Sequence, residues 1–195
     1  MAEKTRKPNE PGGDPSRHLG LDALEAGLRS LPAPPRTGGR VVLICRRTPD
    51  GSRETPERTE LTFADGVPGD DWSRRPPRDP EAQLAVMCAP VAELIANGQP
   101  LVVFGDNLFV DLDLSNASLP TGTRLRVGGA VVKVTPKPHN GCSKFHARFG
   151  ADALRFVQAK PTRDRNLRGI YWKVIEPGAI AVGDAIDVVA RSAGA

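Results

Sequence analysis

Residues 124–135 read RLRVGGAVVKVT, and this stretch decides the fold. Two strand-like runs, Arg124 to Val127 and Ala130 to Thr135, flank the pair Gly128-Gly129. Glycine readily adopts the positive φ angles that tight hairpin turns need, so two strands joined by a two-residue glycine turn are expected. The pattern predicts a β-hairpin in the middle of the folded part of the chain.

Short strands are expected on both sides of this hairpin, and helical patterns are fewer. The expected strands are Val41 to Cys45, Arg58 to Phe63, Gln83 to Cys88, Leu101 to Phe104, the alternating run from Leu108 to Leu114, Ile170 to Ile175 and Ala185 to Val189. The expected helices are Leu21 to Leu31, Val91 to Asn97, and Ser143 to Phe149 followed by Ala151 to Val157 after a break at Gly150. Many short strands, frequent turns and no βαβ alternation predict a mainly-β fold, a barrel or a sandwich with a few short helices.

Composition suggests one globular domain with flanking segments. The chain has 195 residues, of which 39% are hydrophobic and 26% charged, so a sizeable core is possible. We expect residues 1–16 to be a disordered tail because they are polar and rich in proline and glycine. Residues 17–39 are expected to form a short helix and a Pro/Gly linker, residues 40–190 the β-barrel domain and residues 191–195 a C-terminal tail.

Cysteine usage and hydropathy predict a cytoplasmic protein. Three cysteines do not make a disulfide framework, so reduced thiols are expected. The sequence has no run of 18 apolar residues and no apolar segment near its start, so neither a membrane span nor a secretory signal is expected. Aromatic residues make up only 5% and no recognition motif is visible, so nucleic acid is not an expected partner. The oligomeric state stays open.

Cys142 is the candidate reactive residue. It lies in a turn formed by Pro138, Asn140 and Gly141, directly before an expected helix. A helix start exposes unpaired N–H groups and the positive end of the helix dipole, which favours the thiolate form of a cysteine. The stretch 136–173 also carries nine Lys and Arg residues but two acids, so the thiol lies in a basic region. A thiolate there can attack an electrophile, carry sulfur or bind a soft metal; a small residue filling a helix-start pocket is the structural alternative.

Other interpretations of the residues remain open. Cys45 and Cys88 lie in apolar strands, where inert core packing is expected. His139 and His146 flank Cys142 with a spacing that could hold zinc or supply the base of a thiol hydrolase, although the basic surroundings disfavour a divalent cation. No phosphate-binding glycine loop and no serine nucleophile elbow occurs in the sequence.

Five segments taken together resemble the MOSC domain family, the module named after the C-terminal part of molybdenum cofactor sulfurases. They are Gly66 to Asp70, Gly105 to Leu108 with Asp106 in place of the family's glutamate, Leu119 to Leu125, the position of Cys142, and Arg168-Gly169 with the closing block Val174 to Ile186. Each segment alone is weak, but five in the expected order are hard to obtain by chance. The resemblance covers about residues 40–189. Asp71-Trp72 departs from the family, where many members have a basic residue and a histidine.

The resemblance implies a β-barrel-like fold that binds the molybdenum cofactor, molybdopterin, whose pterin carries a phosphate group. It implies that Cys142 bears a persulfide or ligates molybdenum directly, in sulfur transfer or in the reduction of N-hydroxylated compounds. A non-catalytic carrier of the cofactor is the alternative, so whether the protein is an enzyme stays open. The other cofactor-binding residues that we expect are Asp70, Asn107, His139, Asn140, Lys144 and Arg168.

The chain length bears on the expected partners. A pyridoxal-phosphate desulfurase domain does not fit within 195 residues. A separate cysteine desulfurase would therefore load any sulfur, and a redox partner would serve any reduction. Asp70 and Asn107 also fit a structural role in turns, Asp106 fits a turn cap, and Arg148 fits a surface charge on the helix.

Overall fold

The computed structural model describes residues 7–74 and 76–191. Its strands are β1 (Gly39–Ile44), β2 (Arg46–Arg47), β3 (Arg53–Glu54), β4 (Arg58–Leu61), β5 (Leu84–Cys88), β6 (Leu108–Asp111), β7 (Arg124–Val127), β8 (Ala130–Val134), β9 (Ile170–Glu176), β10 (Gly178–Ala181) and β11 (Ala185–Ala190). The α-helices are α1 (Leu21–Ser30), α2 (Ala89–Ala96) and α3 (Ser143–Gln158), and 3-10 helices span Pro15–Arg17, Asp71–Arg74, Pro80–Ala82, Leu101–Val103 and Lys160–Arg165. Seven strands close into a barrel in the order β1-β11-β7-β8-β9-β5-β6, which confirms the predicted mainly-β barrel.

The glycine hairpin forms as the sequence predicts. Strands β7 and β8 pair antiparallel, with Val127 opposite Ala130 across the turn. Gly128 has φ = +52°, a backbone angle that a residue with a side chain rarely adopts. Leu125 and Val132 are fully buried inside the barrel, whereas Arg126 is exposed. The alternation of charged and apolar residues in β7 thus sets which face of that strand turns inward.

One βαβ unit contradicts the expectation that the chain has none. Strands β5 and β6 are parallel neighbours, and α2 connects them. All five residues of β5 are buried, so the strand shows no alternation. Leu101–Val103, expected to be a strand, is a 3-10 helix inside this connection. Periodicity cannot separate a short apolar run in a strand from one in a helix, which explains that error.

Two small sheets lie outside the barrel. Strands β2 and β3 form one of them, and β4 pairs with β10 in the other. The strand β10, which the sequence did not predict, carries the buried Ile180 opposite Thr59. The interruption expected at Gly150 is present, since α3 is two helical segments joined there with φ = +90°.

The helices extend the core on one flank of the barrel. Leu24 of α1 is completely buried, and the rings of Phe104 and Phe149 stack with centroids 4.1 Å apart. No helix that the structure describes is both long and apolar enough to cross a membrane.

The N-terminal segment was expected to be disordered over residues 1–16. Residues 1–6, like 192–195 at the other end, lie outside the described part of the chain. The described residues 7–16 contact α3 and loops around it, and they include the buried Glu10. The sequence does not show the contacts of Glu10 because its partners Lys144 and Arg148 lie more than 100 positions away.

Candidate functional site

A cavity of 1080 Å³ opens where the N-terminal segment, the loops after β1 and β4, the start of α3 and the turn before β9 meet. Its described lining carries eight Lys and Arg residues and four carboxylates, a surplus of four positive charges with histidine neutral. The basic residues are Lys7, Arg47, Arg53, Arg74, Arg78, Lys144, Arg148 and Arg168, and the acids are Glu10, Asp71, Asp79 and Asp106. The site therefore favours an anionic ligand. A neighbouring cavity of 470 Å³ shares His139, Asn140 and Arg168 with it.

Cys142 lies on the lining of the cavity and is exposed. It occupies the cap position before α3 with an extended backbone, and its carbonyl oxygen accepts a hydrogen bond from the His146 N–H at 2.9 Å. Its side chain makes no capping hydrogen bond with the helix. Cys45 and Cys88 are buried, and burial raises the pKa of their thiols to about 12 and about 11. The predicted burial of Cys45 and Cys88 is confirmed, and Cys142 is the exposed one of the three; its reactivity stays a prediction.

His139 lies at the wall of the cavity with a side chain only 6% exposed. Its Nε2 is 3.5 Å from Asp106 Oδ1, and its ring packs against Tyr171 at a centroid distance of 4.3 Å. Burial and the charge of Arg168 lower the pKa of His139 to about 3, so the imidazole is neutral near pH 7. Its Nδ1 has no hydrogen-bond partner among the described residues.

Arg168 is fixed by a buried carboxylate. Its Nη1 donates to both oxygens of Asp106, at 2.9 and 3.0 Å, and its guanidinium lies 5.1 Å above the Phe145 ring. Burial acts to raise the pKa of Asp106, but the adjacent Arg168 holds it below its usual value. Asp106 was interpreted as a turn cap; the structure shows instead a fully buried anion that orients Arg168 and His139. The Arg168 Nε is buried and lacks a partner in the described chain.

Asp70 and Asn107, which the sequence placed with the ligand, do not line the cavity. Asp70 accepts hydrogen bonds from the Arg47 backbone N–H at 2.7 Å and from its Nε at 3.0 Å. Burial acts to raise the pKa of Asp70, yet Arg47 lowers it to about 2. Asn107 Oδ1 accepts from Ala85 N–H at 3.1 Å, while its Nδ2 donates to Cys45 O at 3.4 Å. Asp70 and Asn107 thus hold neighbouring strands and loops together. The remaining predicted site residues do line the cavity: His139, Asn140, Cys142, Lys144 and Arg168.

The family follows from comparison with known proteins. The family model of the MOSC domain matches residues 70–187, more than half of the chain. The chain belongs to the MOSC domain family. The match begins at Asp70, so β1 to β4 of this MOSC domain lie outside it. No curated protein matches the chain.

Solved structures show the same fold at low sequence identity. YiiM from Escherichia coli is 21% identical with a TM-score of 0.53, covering 80% of this chain and 72% of that one. The YuaD protein from Bacillus subtilis is 18% identical with a TM-score of 0.54, covering 78% and 95%. A hypothetical protein is 20% identical with a TM-score of 0.59, covering 80% and 71%. These similarities support the barrel architecture of the MOSC domain and nothing finer.

Arg53 and Arg148 were not predicted as site residues of this MOSC domain. Arg148 was interpreted as a surface charge, but it is buried and donates from Nη1 to Phe104 O at 3.1 Å. The sequence carried a signal for the burial of Arg148. It lies three residues after Phe145, a spacing that places both side chains on one helix face. Gly105 makes room for both guanidiniums: an added Cβ there would lie 3.3 Å from Arg53 Nη2 and 3.7 Å from Arg148 Nη1.

The alternative zinc site is not assembled within the described chain. Across residues 7–74 and 76–191, no group of three His, Cys, Asp or Glu side chains is placed to hold a metal ion. His146 is exposed and does not line the cavity that Cys142 lines. His139 faces Asp106 and does not form a set of metal ligands with Cys142 and His146.

Proposed function

We propose that this MOSC domain binds the molybdenum cofactor in the cavity, with the metal side of the cofactor towards Cys142 and its phosphate among the buried arginines. One observation carries the proposal. An exposed thiol lies on the lining of a positively charged cavity whose wall also holds the Arg168 Nε–H, a buried group without a partner in the described chain. Soft thiolate ligands suit a soft metal centre, and arginine suits a phosphate group.

The residues present fit this cofactor. A buried N–H group without a partner is unfavourable, so the Arg168 Nε favours an incoming anionic oxygen. Asp106 holds the opposite edge of that guanidinium and thereby fixes its orientation. His139 is neutral and its buried Nδ1 lacks a hydrogen-bond partner in the described chain, while the exposed Asn140 lies beside it on the lining. When bound, the cofactor supplies a redox-active metal centre that exchanges oxygen or sulfur ligands.

Sulfur carriage is a second candidate, favoured by the exposure of Cys142. A thiol on the surface can be reached by the persulfide of another protein, such as a cysteine desulfurase. The Cys142 thiolate would attack the outer sulfur of that persulfide. A new S–S bond forms at Cys142 as the donor's S–S bond breaks, and the donor leaves as a thiolate. We expect this in the cytoplasm, where thiols stay reduced, and we expect a redox partner if the loaded protein instead reduces N-hydroxylated compounds.

Elemental analysis tests cofactor binding directly. Protein made in a host that synthesises the cofactor is expected to carry molybdenum, and both Cys142→Ser and Arg168→Met are expected to lower its content roughly tenfold or more because each removes a cofactor contact. Arg155→Met is the matched control, since Arg155 is an exposed arginine of α3 away from the cavity lining. Circular dichroism checks that each variant folds.

Intact-mass measurement separates the two candidates. An added sulfur atom that is present on the wild-type protein, absent in Cys142→Ser and removed by a reductant supports sulfur carriage. Wild-type protein with neither molybdenum nor added sulfur would overturn both candidates. Unchanged molybdenum and unchanged mass in Cys142→Ser would show that Cys142 is not the working residue.

A further inference from the structure

Three cations converge on one carboxylate at the edge of the cavity. The Glu10 side chain, only 5% exposed, accepts hydrogen bonds at Oε1 from Lys144 Nζ at 2.7 Å and from Arg148 Nη2 at 2.5 Å. Its Oε2 accepts from Lys144 at 2.9 Å, and Arg53 Nη2 lies 4.0 Å from Oε1. Burial acts to raise the pKa of Glu10, but Lys144 and Arg148 hold it below its usual value. The side chain is therefore an anion at neutral pH.

Glu10 belongs to residues 7–14, which we call the N-terminal strap. Glu10 is its one buried residue. Other contacts of the strap are polar: Lys7 pairs with the buried Asp71 at 3.1 Å, Asn9 donates to Asp50 at 2.7 Å, and the Asp14 N–H donates to Gln99 Oε1 at 2.8 Å. The Asn9 and Asp14 contacts are exposed to solvent, so each contributes little to stability. Two buried carboxylates therefore hold the described strap on the cavity: Glu10 of the strap itself, among the cations, and Asp71, which pairs with Lys7.

The carboxylate does not satisfy the cations that surround it. Arg53 is 6% exposed and its Nε is buried without a hydrogen-bond partner in the described chain. The guanidiniums of Arg53 and Arg148 both approach Gly105, where an added Cβ would lie 3.3 Å from the first and 3.7 Å from the second. Burial lowers the pKa of both; the charge of Arg47 also lowers that of Arg53, and the charge of Arg53 that of Arg148. Among these four described side chains, one carboxylate against three cations leaves two positive charges. A phosphate group offers more acceptor oxygens and more charge than a carboxylate, so it matches this cluster better.

We propose that Arg53, Arg148 and Lys144 form an oxyanion subsite of the cavity, and that the Glu10 carboxylate occupies it as an internal, displaceable substitute for the phosphate group of a ligand. A bound phosphate group displaces Glu10 and frees the N-terminal strap. Since the open subsite must first lose Glu10, the strap lowers the apparent affinity for the anion. The identity of the natural ligand rests on the proposed function. Inorganic phosphate alone tests the subsite, so the subsite and cofactor binding can be disproved independently of each other.

Calorimetric titration with inorganic phosphate tests the subsite on the full chain at constant ionic strength. We expect Glu10→Gln to bind phosphate roughly tenfold more tightly than wild type, because the competing charge is removed while the side-chain shape is kept. Glu25→Gln is the matched control, since Glu25 is an exposed glutamate of α1 and its loss changes the net charge equally. Arg148→Met in the Glu10→Gln background is expected to abolish the gain. Equal phosphate affinity in the Glu10→Gln and Glu25→Gln variants overturns the proposal.

Hydrogen exchange on the wild-type protein tests, without any variant, whether phosphate displaces the strap. Saturating phosphate is expected to speed amide exchange in residues 7–14 relative to sodium chloride of matched ionic strength, because the strap leaves the cavity. Unchanged or slower exchange in the strap, with phosphate bound, overturns the displacement. Molybdenum content is not part of either readout, so a protein that never binds the cofactor can still show the subsite.

Discussion

At the scale of single residues, the surroundings of a thiol decide what it can do. Cys45 and Cys88 lie in the barrel wall, where burial keeps the neutral thiol dominant. Cys142 lies exposed on the cavity lining. The sequence predicted this difference because strand apolarity and a Pro-Asn-Gly turn are local signals. It could not predict Asp106 as the partner of Arg168, since a buried ion pair between residues 62 positions apart leaves no local pattern.

Thiol titration checks this difference. With an aromatic disulfide reagent at neutral pH, we expect one thiol of the native protein to react at least roughly a hundredfold faster than the other two, because only Cys142 is exposed. The fast phase should vanish in Cys142→Ser. In denaturant, all three thiols of the wild-type chain should react quickly, which serves as the control. A fast phase that survives in Cys142→Ser would contradict the assignment.

At the scale of elements, the turn before β9 aims Arg168 into the cavity. Gly169 has φ = +94°, and an added Cβ there would lie 2.1 Å from the Val86 carbonyl oxygen of β5. The absence of a side chain lets the turn touch the backbone of β5 directly. Arg168 is consequently held over Phe145, where Asp106 meets it.

Gly169→Ala tests this close approach. We expect a loss of about 2 to 4 kcal/mol in the free energy of unfolding, because the methyl group clashes with backbone as well as straining φ. Gly183→Ala is the control, since Gly183 has φ = +89° but nothing within 4 Å of the added Cβ. Its expected cost is about 1 to 2 kcal/mol. Equal losses in urea unfolding of the two variants would show that the contact with β5 contributes nothing.

Local elements were predictable and long-range pairings were not. The hairpin of β7 and β8 has two adjacent strands and a glycine turn, so its signal lies within 12 residues. The parallel pairing of β5 with β6 needs α2 between them, and the fully apolar β5 carries no period that shows its partner. The strand β10 is short and half-buried, and β4, its partner, is distant in sequence.

At the scale of the whole molecule, burial of neutral His139 links stability to pH. The folded-state pKa of His139 is about 3, against an ordinary value of about 6.5 in the unfolded chain. Between these values the unfolded chain binds a proton that the folded protein does not, so stability is present above pH ~6.5 and is lost as pH falls. Asp70 and Asp106 have lowered pKa values, so their contributions are lost only at lower pH, below about 4.

Urea unfolding between pH 6 and pH 4.5 isolates the histidine. We expect the free energy of unfolding to fall by about 1 kcal/mol per pH unit over this range, and His139→Gln to remove most of that slope. His146→Gln should keep the slope, since His146 is exposed. A wild-type slope near zero, or one unchanged in His139→Gln, would contradict a buried neutral imidazole.

The candidate site was only partly predictable because its parts come from the whole chain. His139, Cys142 and Lys144 are neighbours in sequence and were found through one turn. Glu10 and Arg53 reach the same cavity from the N-terminal strap and from β3. Their positions depend on how the barrel closes, which no single stretch of sequence encodes.

Barrel closure itself depends on a short junction between the first and last strands. Strand β1 pairs with β11 through Gly39 opposite Ile186 and Arg40 opposite Ala185, and Arg191 donates to Arg36 O at 3.3 Å just beyond. The segment that enters the first barrel strand and the segment that leaves the last one therefore lie next to each other. A circular permutant could join these two points with a few residues and open an exposed loop elsewhere. It would retain every strand partner, so the barrel does not depend on the order in which the chain connects its strands.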